Sequence, residues 1–170
     1  DHLKAWLDAN FSYCAGFVPL AVLHLMLDLG ASISEKRSTV LHNATRNPER
    51  LRALIELGAN INSVAADFDT PLHTACERSE RIQSVEILIS NGADIFASSE
   101  RGFPLCVAIE EDNKDAIALL KDVIEKSGPK KCNMFFAAKY GWLEAIDYLL
   151  EHGSDVNSRD NRLWTPLHFA

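Results

Sequence analysis

The stretch Ala137–Ala170, AAKYGWLEAIDYLLEHGSDVNSRDNRLWTPLHFA, decides how this chain is read. Ile146, Leu149 and Leu150 fall at helical spacing, the run stops at Gly153, and a polar segment leads to Thr165-Pro166-Leu167-His168. Each part has a physical reason. Thr caps a helix through its hydroxyl, Pro is tolerated where the first-turn amide has no intrahelical partner, and Gly ends a helix because it reaches left-handed backbone angles. The stretch therefore predicts a helix that stops at Gly153, an extended turn, and a new helix that starts at Thr165.

Outward from there the same elements return. Thr70-Pro71-Leu72-His73 is identical to Thr165-Pro166-Leu167-His168, and Thr39-Val40-Leu41-His42 differs only at the proline. An alanine follows two residues after each His, at Ala44, Ala75 and Ala170. Phe103-Pro104-Leu105-Cys106 lies 33 residues after Thr70, and Cys132-Asn133-Met134-Phe135 lies 33 before Thr165. Helix endings of one kind recur as Leu29-Gly30-Ala31-Ser32, Leu57-Gly58-Ala59-Asn60, Asn91-Gly92-Ala93-Asp94 and His152-Gly153-Ser154-Asp155. Ahead of them lie apolar stripes that read as core: Leu51, Leu54 and Ile55; Val85, Leu88 and Ile89; Ile117, Leu120, Val123 and Ile124; and Ile146, Leu149 and Leu150. One helix pair cannot cover its own apolar face, so neighbours must stack.

This 33-residue pattern resembles the ankyrin repeat family over about residues 10–170. The resemblance implies an all-α fold, an ankyrin-repeat solenoid of stacked helix-turn-helix units with projecting β-hairpin-like loops. The expected division is a degenerate repeat or cap at 1–33, repeats at 34–64, 65–97, 98–127 and 128–159, and the start of a further repeat at 160–170, with the natural protein continuing beyond it. Four departures are visible. The copy beginning at Phe103 lacks the Gly-Ala-Asp ending, and its second helix is expected to run on through Lys121–Lys126. Asn47-Pro48 opens a second helix directly, with Asn as cap. Phe68 and Leu163 stand where the family usually has Gly.

Composition narrows the function. The 170 residues carry 24 acids and 17 bases, a net charge of -7 that disfavours nucleic acid and anionic membrane as partners. The longest apolar run, Phe17–Leu29, is broken by Pro19, His24 and Asp28, so no membrane insertion is expected. Cys14, Cys76, Cys106 and Cys132 form no Cys-x-x-Cys pair, so neither a disulfide framework nor a zinc site is expected, and a reducing cytoplasmic or nuclear compartment is favoured. No nucleophile elbow, phosphate loop or His-Glu-x-x-His motif is present, so no cofactor and no catalysis are expected. The adjacent acids Glu110 and Glu111 are expected to point in different directions, as a solvated face. His42, His73 and His168 share one repeat position, where the resemblance implies a structural hydrogen bond.

The resemblance also implies where a protein partner sits, in a concave groove made by hairpin tips and the exposed ends of first helices. The matching helix positions are Arg46, Asn47, Glu77, Arg78, Glu110, Glu111, Lys139 and Tyr140. The tips are Glu35, Lys36, Asp67, Phe68, Asp69, Glu100, Arg101, Phe103, Asn161, Arg162 and Trp164, with Phe68, Phe103, Tyr140 and Trp164 expected as aromatic anchors. Residues 94–125 hold eight acids and three bases, which favours a partner with a basic segment. Asn62 and Asn157 are similar to asparagines hydroxylated in this family. The competing reading is a targeting or regulatory arm of a larger enzyme, channel or pathogen effector whose activity lies outside this stretch.

Overall fold

The computed structural model describes residues 2, 6, 10, 17–31, 33, 39–127, 134–139, 141–151, 153–160 and 162–170, apart from the side chains of Glu125, Ser127, Glu144 and Ala145. Expectations for Cys14, Glu35, Lys36, Cys132, Tyr140, His152 and Asn161, and for most of residues 1–16, lie outside the described residues. The chain forms two compact units, Asp1–Leu120 and Lys121–Ala170.

In the first unit the helices are α1 (Leu20–Asp28), α2 (Val40–Ala44), α3 (Pro48–Glu56), α4 (Pro71–Cys76), α5 (Ile82–Ser90) and α6 (Pro104–Glu110). A 3₁₀ turn at Ser79–Arg81 leads into α5. Helix α7 (Lys114–Ser127) begins in this unit and ends in the second, running without a break through Lys121–Lys126 as its missing glycine ending predicts. Helix α2 packs on α3 and α4 on α5, while α2, α4 and α6 stack in succession and α3 stacks on α5. The apolar stripes face inward: Leu41, Leu51, Leu54, Leu72, Val85, Leu88, Leu105 and Leu120 have no exposed surface or almost none. Burying each such side chain is worth about 1.5–3 kcal/mol, so the stack rests mainly on these residues.

Polar groups at the helix ends are satisfied across the stack, as buried backbone groups must be. Asn47 caps α3 by accepting from the Arg50 amide at 3.0 Å, with Pro48 in the first helical position. The carbonyl of Thr45, just after α2, accepts from Ser84 Oγ at 2.7 Å, and that of Cys76, at the end of α4, from Asn113 Nδ2 at 2.9 Å. Thr45 and Cys76 occupy the same place in their repeats, yet Ser84 and Asn113 do not. The orphan carbonyl is the constant feature, and each neighbour reaches it from its own position.

The histidines bind neighbouring repeats together. The Thr70 amide donates to His73 Nδ1 at 3.0 Å, and the Thr70 hydroxyl lies 2.9 Å from the same nitrogen. That leaves His73 Nε2 as the donor to the Gly102 carbonyl at 3.1 Å, and His42 Nε2 meets the Asp69 carbonyl at 2.8 Å in the same way. The Thr cap thus works through the imidazole, and at Thr39 no side-chain cap bond forms. Cys106 takes the place of the next His, its Sγ accepting from the Phe103 amide at 3.0 Å.

The second unit contains α8 (Met134–Lys139), α9 (Leu143–Glu151) and a 3₁₀ turn at Pro166–His168; α8 packs on both of the others. Met134, Ala137, Trp142 and Leu149 are buried. Leu150 departs from the core stripe expected of it: it is 44 % exposed, because at nine residues α9 turns only one face inward.

Candidate functional site

Among the described residues, three hairpin tips project between the helix pairs. The tip at residues 65–69 is closed by the Ala65 amide donating to the Asp69 carbonyl at 2.9 Å, and that at 160–164 by the Asp160 amide donating to the Trp164 carbonyl at 2.9 Å. Each carries one non-glycine residue in the left-handed region, Phe68 and Leu163, both with φ of 64°. The turn geometry survives without glycine, at a strain of about 1–2 kcal/mol per residue. The third tip is one residue shorter. Ser99 and Gly102 exchange backbone bonds of 2.8 and 3.1 Å, and the left-handed angle moves to Gly102, next to the helix start.

That shortening places Arg101 against the ends of the first helices. Its guanidinium lies 2.9 Å from Glu111 Oε1, 3.1 Å from Glu77 Oε1, 3.6 Å from Glu110 Oε2 and 4.0 Å from Asp69 Oδ2. Glu111 lies past the end of α6, where Asp112 turns with φ of 51°, so the two adjacent acids converge on one cation instead of diverging as the sequence reading had them. Burial alone would lower the Arg101 pKa, but the carboxylates of Asp69, Glu77, Glu110 and Glu111 outweigh it and raise the value. Glu77 also meets Arg81 Nη1 at 3.4 Å, and that nitrogen donates to the Thr74 carbonyl at 2.6 Å. Glu110 and Glu111 keep 47 % and 43 % of their side-chain surface exposed, so negative charge remains available to solvent.

Most other expected contact residues of this unit are on the surface. Arg46, Asn47, Asp67, Phe68, Arg78 and Glu100 are exposed. Two are not free tips. Asp69 is 4 % exposed, because its carbonyl receives the His42 imidazole and its carboxylate faces inward to Arg101. Phe103 is half-buried and packs edge-on against Phe96, ring centroids 6.1 Å apart, so as an anchor it is already occupied. In the second unit Lys139 and Arg162 are exposed. Trp164 is 44 % exposed and stacks on His168 at 5.9 Å, with Phe169 edge-on at 5.5 Å.

Nucleophiles are muted. Burial pushes the Cys76 thiol up to about 12, helped by the Glu77 carboxylate. Burial also lowers the His73 pKa, against the opposing pull of the Gly102 carbonyl and Asp69. Among the described residues no group of three or more His, Cys, Asp and Glu could hold a metal ion, and no helix is long and apolar enough to cross a membrane.

A family model described as ankyrin repeats (3 copies) matches residues 11–99, and one described as ankyrin repeats (many copies) matches residues 134–170. Rabankyrin-5 of Mus musculus is 30% identical over 131 residues, covering 72% of this chain and 11% of its own length. The chain belongs to the ankyrin repeat family. It is also 28% identical over 113 residues to the ankyrin repeat domain-containing protein SAT10 of Stachybotrys chartarum, covering 66% of this chain and 6% of that protein. Alpha-latrotoxin-Lg1a of Latrodectus geometricus is 28% identical over 144 residues, 76% of this chain and 10% of the toxin. The chain thus spans 11% or less of the length of these three relatives.

Ankyrin repeats are in general protein-interaction modules and in general non-catalytic. Within that frame, sequence reasoning named Arg101 and its acids but not their convergence, and it missed Arg81, which is 9 % exposed. The signal for Arg101 was the short spacing from Ser99 to Phe103. Asn62 and Asn157 are exposed, and Asn62 Oδ1 accepts from the Asp94 amide of the next repeat at 2.8 Å.

Proposed function

We propose that this ankyrin repeat chain is a non-catalytic protein-interaction module whose hairpin tips and first-helix ends hold a partner polypeptide. In the first unit the contact is made by Arg46, Asn47, Asp67, Phe68, Glu77, Arg78, Glu100, Arg101, Glu110 and Glu111; in the second, Lys139, Tyr140, Arg162 and Trp164 serve the same role. One observation carries the reading most: four carboxylates surround Arg101, and two of them, Glu110 and Glu111, stay accessible. Excess negative charge at an open surface favours a basic segment, because a partner cation replaces water at carboxylates that Arg101 has already partly ordered.

The test is affinity capture of a partner with the wild-type chain beside a Glu110→Lys, Glu111→Lys variant and a milder Glu110→Gln, Glu111→Gln variant. Phe103 is left intact because it packs on Phe96. The reading expects graded loss of captured partner, Lys worse than Gln, with thermal unfolding nearly unchanged. Equal capture by all three would remove the acidic surface from the account. Asn62 and Asn157 are proposed modification sites; intact mass of protein from cells, lacking any added oxygen, would dismiss that part alone.

A further inference from the structure

Residues Arg46, Glu77 and Glu110 each stand seven places after a repeat start (Thr39, Thr70, Phe103), and Asn47, Arg78 and Glu111 stand eight places after. Since α2, α4 and α6 stack in succession, these pairs form a ladder that changes from basic, through mixed, to doubly acidic. The acidic end is the Arg101 cluster. At the basic end, Arg46, Arg78, Arg81 and Glu80 line an open cleft of about 410 Å³. A neighbouring cavity of about 240 Å³ shares Arg46 and Arg81 and adds Arg50 and Glu77. Arg81 and Arg50 are held by backbone carbonyls, Thr74 at 2.6 Å and Val18 at 2.6 Å. Arg46 and Arg78 are exposed, and no ion pair forms at either among the described residues. Together the two cavities are lined by four guanidiniums and two carboxylates, a positive balance on a chain whose net charge is -7. Concentrating like charge costs folding energy, so the arrangement is best explained by an anionic group it receives. The volume admits a carboxylate with several waters, at about 30 Å³ per water.

We infer that the first unit has a bipolar peptide site, in which one extended partner segment places an acidic side chain between Arg46 and Arg78 and a basic side chain against Glu110 and Glu111. This rests on the proposed function and specifies the partner's chemistry. Stacked helices lie about 8–10 Å apart, so the one and a half steps from between Arg46 and Arg78 to Glu110 and Glu111 cover about 12–15 Å. An extended chain rises about 3.3 Å per residue, which sets the two charges about four residues apart. The bidentate geometry of Arg suits a carboxylate, and the two tethered arginines below Arg46 and Arg78 fix the field without competing for it.

The experiment is selection from a phage-displayed library of random peptides, about a dozen residues long, on the 170-residue chain and on an Arg46→Glu, Arg78→Glu variant whose unfolding midpoint is measured in parallel. Both targeted residues are exposed, so the variant is expected to fold. Wild type should enrich peptides with Asp or Glu at one end and Lys or Arg about four residues away. The variant should lose the acidic enrichment and keep the basic one. Basic enrichment alone on wild type, or acidic enrichment unchanged in the variant, would sink the bipolar site and leave the proposed function standing. No enrichment at all would sink both. Phosphatidylserine vesicles and a single-stranded oligonucleotide are run as rival occupants; retention of the chain by either, lost on reversing Arg46 and Arg78, in place of acidic peptide selection would also overturn it.

Discussion

Cys106 stands where His42 and His73 stand in the preceding repeats, and its sulfur accepts from the Phe103 amide as His73 Nδ1 accepts from the Thr70 amide. Its neighbour in the stack, Cys76, is fully buried with a pKa pushed up to about 12, so little thiolate forms at any ordinary pH. Iodoacetamide at pH 8, mapped by peptide mass spectrometry, is expected to label Cys76 only after denaturation; labelling in the folded chain would mean that α4 opens readily. His73 makes a pH-dependent contribution whose sign follows from its lowered folded pKa. Above the unfolded value of 6.5 both states are neutral and its contribution to stability is complete. Below it the unfolded chain binds the proton first, so stability falls as pH drops toward the lower folded value, by at most about 1.4 kcal/mol per pH unit. Urea midpoints at pH 7.5 and 5.5, with NMR titration of the His73 ring, check both the direction and the residue. A folded pKa above the unfolded one would reverse the argument.

At the scale of elements, helix starts and stops were legible because they depend on local chemistry. Asn47-Pro48 announces α3, and the missing glycine after Ile124 announces the long α7. Two things were not legible. Which residues of an apolar stripe are covered depends on what packs outside the helix, so Leu88 is fully buried while Leu150, at an equally regular position, is 44 % exposed. The Arg101 cluster depends on a tip shorter by one residue, a difference that moves a side chain across the surface without changing the helical pattern. Leu88→Ala is expected to cost about 2–5 kcal/mol from lost burial and the cavity left behind. Leu150→Ala should cost no more than about 0.5 kcal/mol, as for ordinary surface changes. Chemical denaturation of the two variants compares them directly, and equal losses would contradict the packing described for α5 and α9.

For the whole molecule, repeated pairs of short helices obtain their stability from neighbours, which leaves the hairpin tips and first-helix ends free to vary. Sequence alone was sufficient for the family and the helical repeat, since both follow from the repeat register. The distribution of charge over that surface needed the structure, because Arg81 and Arg101 are assigned their partners by folding. A second cleft, lined by Arg52, Ile55, Glu56, Glu86, Ile87, Ser90 and Asn91 of α3, α5 and the turn after α5, offers the natural control surface. The most direct test is hydrogen–deuterium exchange of the chain with and without a captured partner or a selected peptide. The account predicts slowed exchange around residues 76–81 and 99–112, with residues 52–56 and 86–91 unchanged. Protection of the second cleft, with exchange unaltered at the Arg101 cluster, would contradict it.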